Sequence, residues 1–102
     1  MLELRPDCEC CGKDLVPDST EAMICSFECT FCRGCVESKL FNVCPNCGGG
    51  FEKRPVRPAR EHRNGAFLGS RPASGVRKHR RIDLDEHAVF AEKLKDISPE
   101  AR

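Results

Sequence analysis

Cysteine is the residue type through which this chain can do chemistry. Cys8 and Cys11 form one C-x2-C pair, Cys25, Cys29, Cys32 and Cys35 follow at intervals of three, two and two residues, and Cys44 and Cys47 close the series. Four thiolates surround one Zn²⁺ tetrahedrally and leave no coordination position open to a substrate. Eight ligands therefore predict two Zn²⁺ ions in two closed sites, which hold structure and do not hydrolyse. The ninth cysteine, Cys10, is spare, because Gly12 after Cys11 favours Cys8/Cys11 over Cys8/Cys10 as the pair. Three roles are open to it: inert thiol, redox-active thiol or substitute ligand.

Disulfides are the rival cross-link, and an iron–sulfur cluster is another. Met1 to Asp7 show no basic start followed by an apolar run, so a secretory leader is not expected. A cytoplasmic chain with C-x2-C pairs is more often a metal protein than a disulfide scaffold. Catalytic sets are missing. No histidine lies in residues 1–51 to serve a nucleophilic cysteine, and no Ser/His/Asp set, phosphate loop or dinucleotide fingerprint occurs. His62 and His79 read as solvated, and His87 as a surface ion-pair partner rather than a metal ligand. Asp83, Asp85 and Glu86 suit helix capping better than acid–base work. An enzyme is not expected.

The elements that hold these sulfurs must be small. All nine cysteines fall between positions 8 and 47 of 102, and the large aliphatics among them are only Leu15, Val16, Ile24, Val36, Leu40 and Val43, helped by Phe27, Phe31 and Phe41. So little apolar area cannot offset chain entropy without cross-links. A structural Zn²⁺ supplies roughly 10–16 kcal/mol of apparent binding free energy. Leu15-Val16 and Met23-Ile24 are expected to pair as a short hairpin around Pro17-Asp18-Ser19, and Val36 to Phe41 to form a helix of one or two turns. Gly12 and Gly48 each follow the second cysteine of a pair, where a knuckle turn favours positive φ.

Three parts divide the chain. Residues 1–51 carry four basic side chains (Arg5, Lys13, Arg33, Lys39) against eight acidic ones, and hold every metal ligand. Residues 52–82 are rich in Pro, Gly and Arg, which predicts a disordered, mobile basic linker. Positions 53–81 hold ten Lys/Arg against the single acid Glu61. Residues 83–98 read as a short amphipathic helix, capped by Asp83 with Glu86 three positions on, its apolar face made by Phe90, Leu94 and Ile97, and stopped at Ser98-Pro99. Such a helix is too short to stand alone, so it docks either on its own module or on a partner.

The stretch Cys29-Thr30-Phe31-Cys32-Arg33-Gly34-Cys35-Val36 resembles the centre of a RING domain, with Cys29 where many members have His, and Cys44-Pro45-Asn46-Cys47 resembles its closing knuckle. The ligand loops of 13 and 8 residues are short for sequential LIM-type modules and fit the RING cross-brace. The resemblance implies a small zinc-stabilised α+β domain, a RING-like two-zinc cross-brace with a short hairpin and one short helix, followed by a disordered tail. Cys8, Cys11, Cys32 and Cys35 would bind one ion, and Cys25, Cys29, Cys44 and Cys47 the other.

RING ligases commonly carry an apolar residue after the first cysteine, an aromatic on the central helix and a basic residue after the last cysteine. Glu9, Phe41 and Gly48 stand at those positions, and one of the three matches. The opening Leu2 to Cys11, the stretch Ile24 to Cys32 and the ending Cys44 to Gly49 also resemble a family of short bacterial cysteine-rich proteins catalogued as a domain of unknown function. That resemblance covers about residues 1–58 and implies a bacterial, cytoplasmic origin.

The function expected from these features is a non-catalytic, zinc-binding structural or protein-interaction module. The alternatives are a nucleic-acid-associated protein using residues 53–81, and a RING-type ubiquitin ligase scaffold. No membrane span and no small-molecule substrate are evident.

Overall fold

In the computed structural model, which describes residues 1–102, a three-stranded antiparallel sheet forms the centre of the molecule. Strand β1 (Ala22–Ile24) pairs with β2 (Thr30–Cys32), opposing Met23 to Phe31, and with β3 (Glu52–Lys53), opposing Met23 to Lys53; the strand order is β2-β1-β3. The β1–β2 loop closes through Cys25 N–H to the Cys29 carbonyl (3.1 Å), with Glu28 at φ 68° making the reversal. The chain then enters helix α1 (Arg33–Cys35), which widens into a π-helical turn over Val36–Leu40. Phe41 and Asn42, both at positive φ, end it, and the Asn42 side chain accepts from Phe51 N–H at 2.9 Å.

This pairing corrects the expected hairpin. Met23-Ile24 does form a strand, but its partners are Thr30-Phe31 and Glu52-Lys53, not Leu15-Val16. The five-residue loop through Cys25 and Cys29 reverses tightly, and the β-branched and aromatic pair Thr30-Phe31 suits a strand better than the stretch before Pro17. Leu15 is nevertheless buried, its N–H bonded to the Pro6 carbonyl, while Val16 is exposed.

The core contains 13 residues, and six of them are cysteines: Cys8, Cys25, Cys29, Cys32, Cys35 and Cys44. Phe31 and Phe51 meet edge to face at 5.3 Å in its centre. Phe27 and Phe41, expected to help this core, stand on the surface. The apolar content is thus even smaller than the composition implies, and the thiols occupy the space that aliphatic side chains would fill in a larger domain.

Residues 54–83 hold no strand or helix, in keeping with their Pro and Gly content, but the segment lies along the module instead of hanging free. Arg54 is 1% exposed and donates to the carbonyls of Arg5 (2.9 Å) and Val16 (3.0 Å). Arg57 donates to the Leu2 carbonyl, Ser74 N–H to the Leu4 carbonyl, and Arg80 N–H to the Glu9 carbonyl. The carboxylate of Asp7, fully buried, accepts from the backbone N–H groups of Lys78 (2.9 Å) and His79 (3.1 Å). The mobile linker expected over 52–82 is therefore a laid-down strap in this structure. Buried acceptors on the N-terminal loop need donors, and the strap supplies them.

Helix α2 spans Leu84–Glu92, capped by Asp83, whose side chain accepts from Asp85 N–H (3.1 Å) and Glu86 N–H (3.0 Å). It ends earlier than expected, and a 3-10 turn (Pro99–Ala101) follows. The helix docks on its own module, against the π-helical turn. Its most buried residues are His87 and Ala91, whereas Phe90 and Ile97 of the expected face are partly exposed. Ala91 is small enough to let the helix backbone approach, so the contact turns toward it.

Removing the Arg54 side chain leaves two carbonyls without their donor in the interior, each worth about 1–3 kcal/mol. Arg54→Ala is expected to destabilise the metal-loaded protein by about 2–4 kcal/mol, read from denaturant midpoints, with Arg54→Lys recovering only part because one ammonium cannot span both carbonyls.

Candidate metal centres

The hairpin decides which cysteines can meet. Cys25 and Cys29 lie at its looped end, while Cys32 ends β2 and Cys35 follows on α1. Three steps along a strand are about 10 Å, so the Cys25/Cys29 end and the Cys32/Cys35 end cannot share one ion. Each must find sulfurs from elsewhere in the chain. The sulfurs of Cys8, Cys11, Cys32 and Cys35 lie within 4.8 Å of one another, and those of Cys25, Cys44 and Cys47 form a second such group. The order of use along the chain is therefore interleaved.

In the first group, Cys11 Sγ and Cys32 Sγ are 3.8 Å apart. A tetrahedron with metal–sulfur bonds of about 2.3 Å has edges of about 3.8 Å, whereas a disulfide needs about 2.0 Å. All nine cysteines are free thiols. The donor set and spacing fit a tetrahedral, thiophilic metal ion. In the second group Cys29, the fourth expected ligand, sits beside the cluster but outside that mutual distance. It is buried, and Asn46 Nδ2 approaches its sulfur at 3.6 Å. Cys10 belongs to neither group.

Two matching knuckles carry the C-x2-C pairs at Cys8 and Cys44. Gly12 N–H donates to the Cys8 carbonyl and Gly48 N–H to the Cys44 carbonyl, each at 2.8 Å, with φ of 77° and 79°. Positive φ there is cheap only for glycine. Backbone N–H groups also face the sulfurs: Cys11 toward Cys8 (3.5 Å), Phe27 toward Cys25 (3.3 Å) and Gly49 toward Cys47 (3.4 Å). Such donors favour the thiolate.

The first knuckle is held against the sheet by Glu9. Its N–H donates to the Thr30 carbonyl (3.0 Å) and its carboxylate accepts from Thr30 N–H (2.6 Å), which covers the open edge of β2. Arg5 completes the arrangement with a 2.8 Å ion pair to the same carboxylate. Nothing in the residue types alone signals that Glu9 points inward.

Without a metal the sulfurs resist ionisation unequally. Burial pushes the Cys8 thiol up to about 11 from an ordinary 9.0. Burial, reinforced by neighbouring sulfurs, raises Cys35 further, and burial raises Cys44 against the pull of the Asn46 and Cys47 N–H groups. Burial first, then the nearby Cys25 sulfur, raises Cys29. Cys11 and Cys25 move the other way: burial opposes their ionisation, but the N–H groups of Lys13 and Phe27 and the adjacent thiols together outweigh it. Ionisation is thus eased at Cys11 in the first cluster and Cys25 in the second, and opposed at Cys8, Cys35, Cys29 and Cys44.

His87, expected as a surface ion-pair partner, is instead buried and makes no ion pair. It is 4% exposed, its Nε2 donates to the Leu40 carbonyl at 3.0 Å, and its Nδ1 has no partner. Only its spacing of four from Ala91, on the face that docks, could have marked it. His62 is exposed, and the His79 ring rests against Gly12.

The sequence signature of a family described as "Protein of unknown function (DUF1272)" matches residues 1–57. The chain belongs to that family. The matched segment holds all nine cysteines, both knuckles and the three strands, so the family's common part is the two-cluster module itself. An uncharacterized protein of Rhizobium meliloti (strain 1021) is 60% identical over 77 residues, covering 76% of this chain and 84% of that protein. No solved structure matches the chain.

Cys10→Ser is expected to leave the metal content unchanged, whereas Cys32→Ser should empty the first cluster and unfold the module, because its sulfurs belong to the same core; metal-to-protein ratios and thermal melts read both. The pH dependence has a definite sign. In the metal-free chain the raised Cys8 pKa favours the neutral thiol, so that contribution is full below 9.0 and is lost as pH rises through about 11. Metal binding reverses this, since the thiolate is the ligand. Apparent metal affinity should rise with pH from 5 to 8 by more than one order of magnitude per pH unit, as measured by competition with a chelator of known affinity.

Proposed function

We propose that the chain is a zinc-stabilised structural and protein-interaction module, non-catalytic, with a RING-like cross-brace that binds two Zn²⁺ ions. The observation that carries this reading is the interleaved grouping of the sulfurs inside the core. Cys8, Cys11, Cys32 and Cys35 hold the first ion, and Cys25, Cys29, Cys44 and Cys47 the second, with Cys29 closing onto the metal by a small shift of the β1–β2 loop. Tetrahedral all-thiolate sites suit Zn²⁺, and closed coordination argues for structure rather than turnover.

Interaction is the remaining role for so small a rigid body. Phe27 and Phe41 stand exposed on the module, and Phe41 borders a depression of about 320 Å³ with Met23 and Val36. Aromatic side chains on a pinned surface are favourable contact groups for a protein partner. The ligase alternative is disfavoured by Glu9, whose carboxylate is used internally at the position where RING ligases commonly carry an apolar residue. Nucleic-acid association is weakened too. Of the basic residues in 53–81, Arg54, Arg57 and Arg77 donate to the chain's own carbonyls, which leaves fewer for phosphates. No helix is long and apolar enough to cross a membrane, and the reducing bacterial cytoplasm is the compartment that suits nine free thiols.

Native mass spectrometry of protein purified without oxidant or chelator tests the reading. Two Zn²⁺ per chain, together with Cys10 as the one alkylatable thiol, is the expected result. Zero zinc with several disulfides would remove the proposal. On immobilised nucleic acid the protein should pass through unretained at about 0.15 M salt, where screening acts over roughly 8 Å; retention to much higher salt would favour the basic segment as the functional part.

A further inference from the structure

The two knuckles share a second feature. Each is covered by the C-terminal half of the chain, and each glycine carbonyl accepts from an arginine of that half. At the first knuckle the Arg77 guanidinium donates to the Gly12 carbonyl at 2.9 Å, and pairs with Asp14 (2.9 Å) and, more loosely, buried Asp7 (3.5 Å). The His79 ring lies so close that a Cβ at Gly12 would stand 3.3 Å from it. At the second knuckle Arg102 donates to the carbonyls of Gly48 (3.2 Å) and Asn42 (2.8 Å), and its Nε to Ile97 (2.9 Å). A Cβ at Gly48 would stand 3.0 Å from Leu94 and 3.3 Å from Phe90.

These glycines directly follow Cys11 and Cys47, and those two are the exposed cysteines of their groups. An all-thiolate zinc site loses its ion by ligand exchange: an incoming donor takes a position as one zinc–sulfur bond breaks, with no change of oxidation state. The exposed sulfur is where that exchange starts. The clasp residues, from 74 to 102, all lie beyond the family-matched segment that ends at residue 57.

We infer that residues 74–102 form a clasp that retains the two metal ions, Arg77 closing the first knuckle and Arg102 the second. The inference rests on the zinc reading above. Its chemistry is local: a guanidinium on the knuckle carbonyl holds the turn, and the packed His79, Phe90 and Leu94 narrow the approach to the exposed thiolate. The buried Asp7 carboxylate, accepting from the backbone of Lys78 and His79, ties the strap down between the two closures.

The test uses the full zinc-loaded chain challenged with pyridylazoresorcinol, a chromogenic chelator, while iodoacetamide traps each freed thiol for peptide mapping. Arg77→Ala should speed release of one ion about tenfold and expose Cys11 first. Arg102→Ala should speed the other about tenfold and expose Cys47 first. Arg63→Ala, which removes a side chain that bonds nothing, should match the parent. Both arginines lie outside the core, and a count of two ions before challenge certifies that each variant has folded. Unchanged release from both variants would overturn the clasp, as would equal acceleration of both ions by either single change, which signals general loosening. A parent chain with no zinc before challenge would instead overturn the site reading on which the clasp depends.

Discussion

A core in which cysteines are six of 13 residues holds its shape only when the sulfurs are drawn together. That is the constraint on which the rest of the molecule depends. Thiols are weak hydrogen-bonding groups and small hydrophobes, so crowding them gains little by itself. Bound to a dication, the same groups become cross-links between segments far apart in sequence. The upward shifts at Cys8, Cys35 and Cys44 express the other side of this: buried sulfurs without a cation stay protonated and contribute only as poor aliphatics.

The three-residue strands convert that constraint into a topology. A hairpin this short still holds its looped end, with Cys25 and Cys29, about 10 Å from the end with Cys32 and Cys35, so the two ends must serve different clusters. The N-terminal knuckle then has to run beside β2, where Glu9 bonds both backbone groups of Thr30. The Cys44 knuckle has to reach the looped end, which the π-helical turn and the reversal at Phe41 and Asn42 accomplish. The strap and α2 are laid over the outside of this frame. They are fastened by buried Arg54, whose charge is met by two backbone carbonyls, and by buried Asp7, whose carboxylate accepts from two backbone N–H groups and pairs loosely with Arg77.

What could be read in the sequence follows from how local each signal is. Cysteine spacing, the glycines after the pairs and the Asp83 cap are encoded within three or four residues, and the structure shows each of them in place. Met23-Ile24 was legible as a strand, but its partner was not, because Thr30 to Cys32 lay within a cysteine run whose ligand role obscured its β-forming side chains. The strap was not legible for a deeper reason. Pro, Gly and Arg content describes a chain's entropy, whereas Arg54, Arg57 and Asp7 act through acceptors and donors dozens of residues away. His87 was hidden in the same way: a charged-looking helical turn gave no hint that the Leu40 carbonyl would be waiting for its ring.

The interleaved use of the sulfurs is the claim from which the architecture, the clasp and the proposed role all descend. Cadmium-substituted protein, with proton–cadmium correlation spectra assigning each cysteine to an ion, tests it most directly. Two cadmium resonances are expected, one coupled to the β-protons of Cys8, Cys11, Cys32 and Cys35, the other to those of Cys25, Cys29, Cys44 and Cys47. A resonance that joined Cys8 and Cys11 to Cys25 and Cys29 would contradict the account, since the hairpin could not then stand between the two sites.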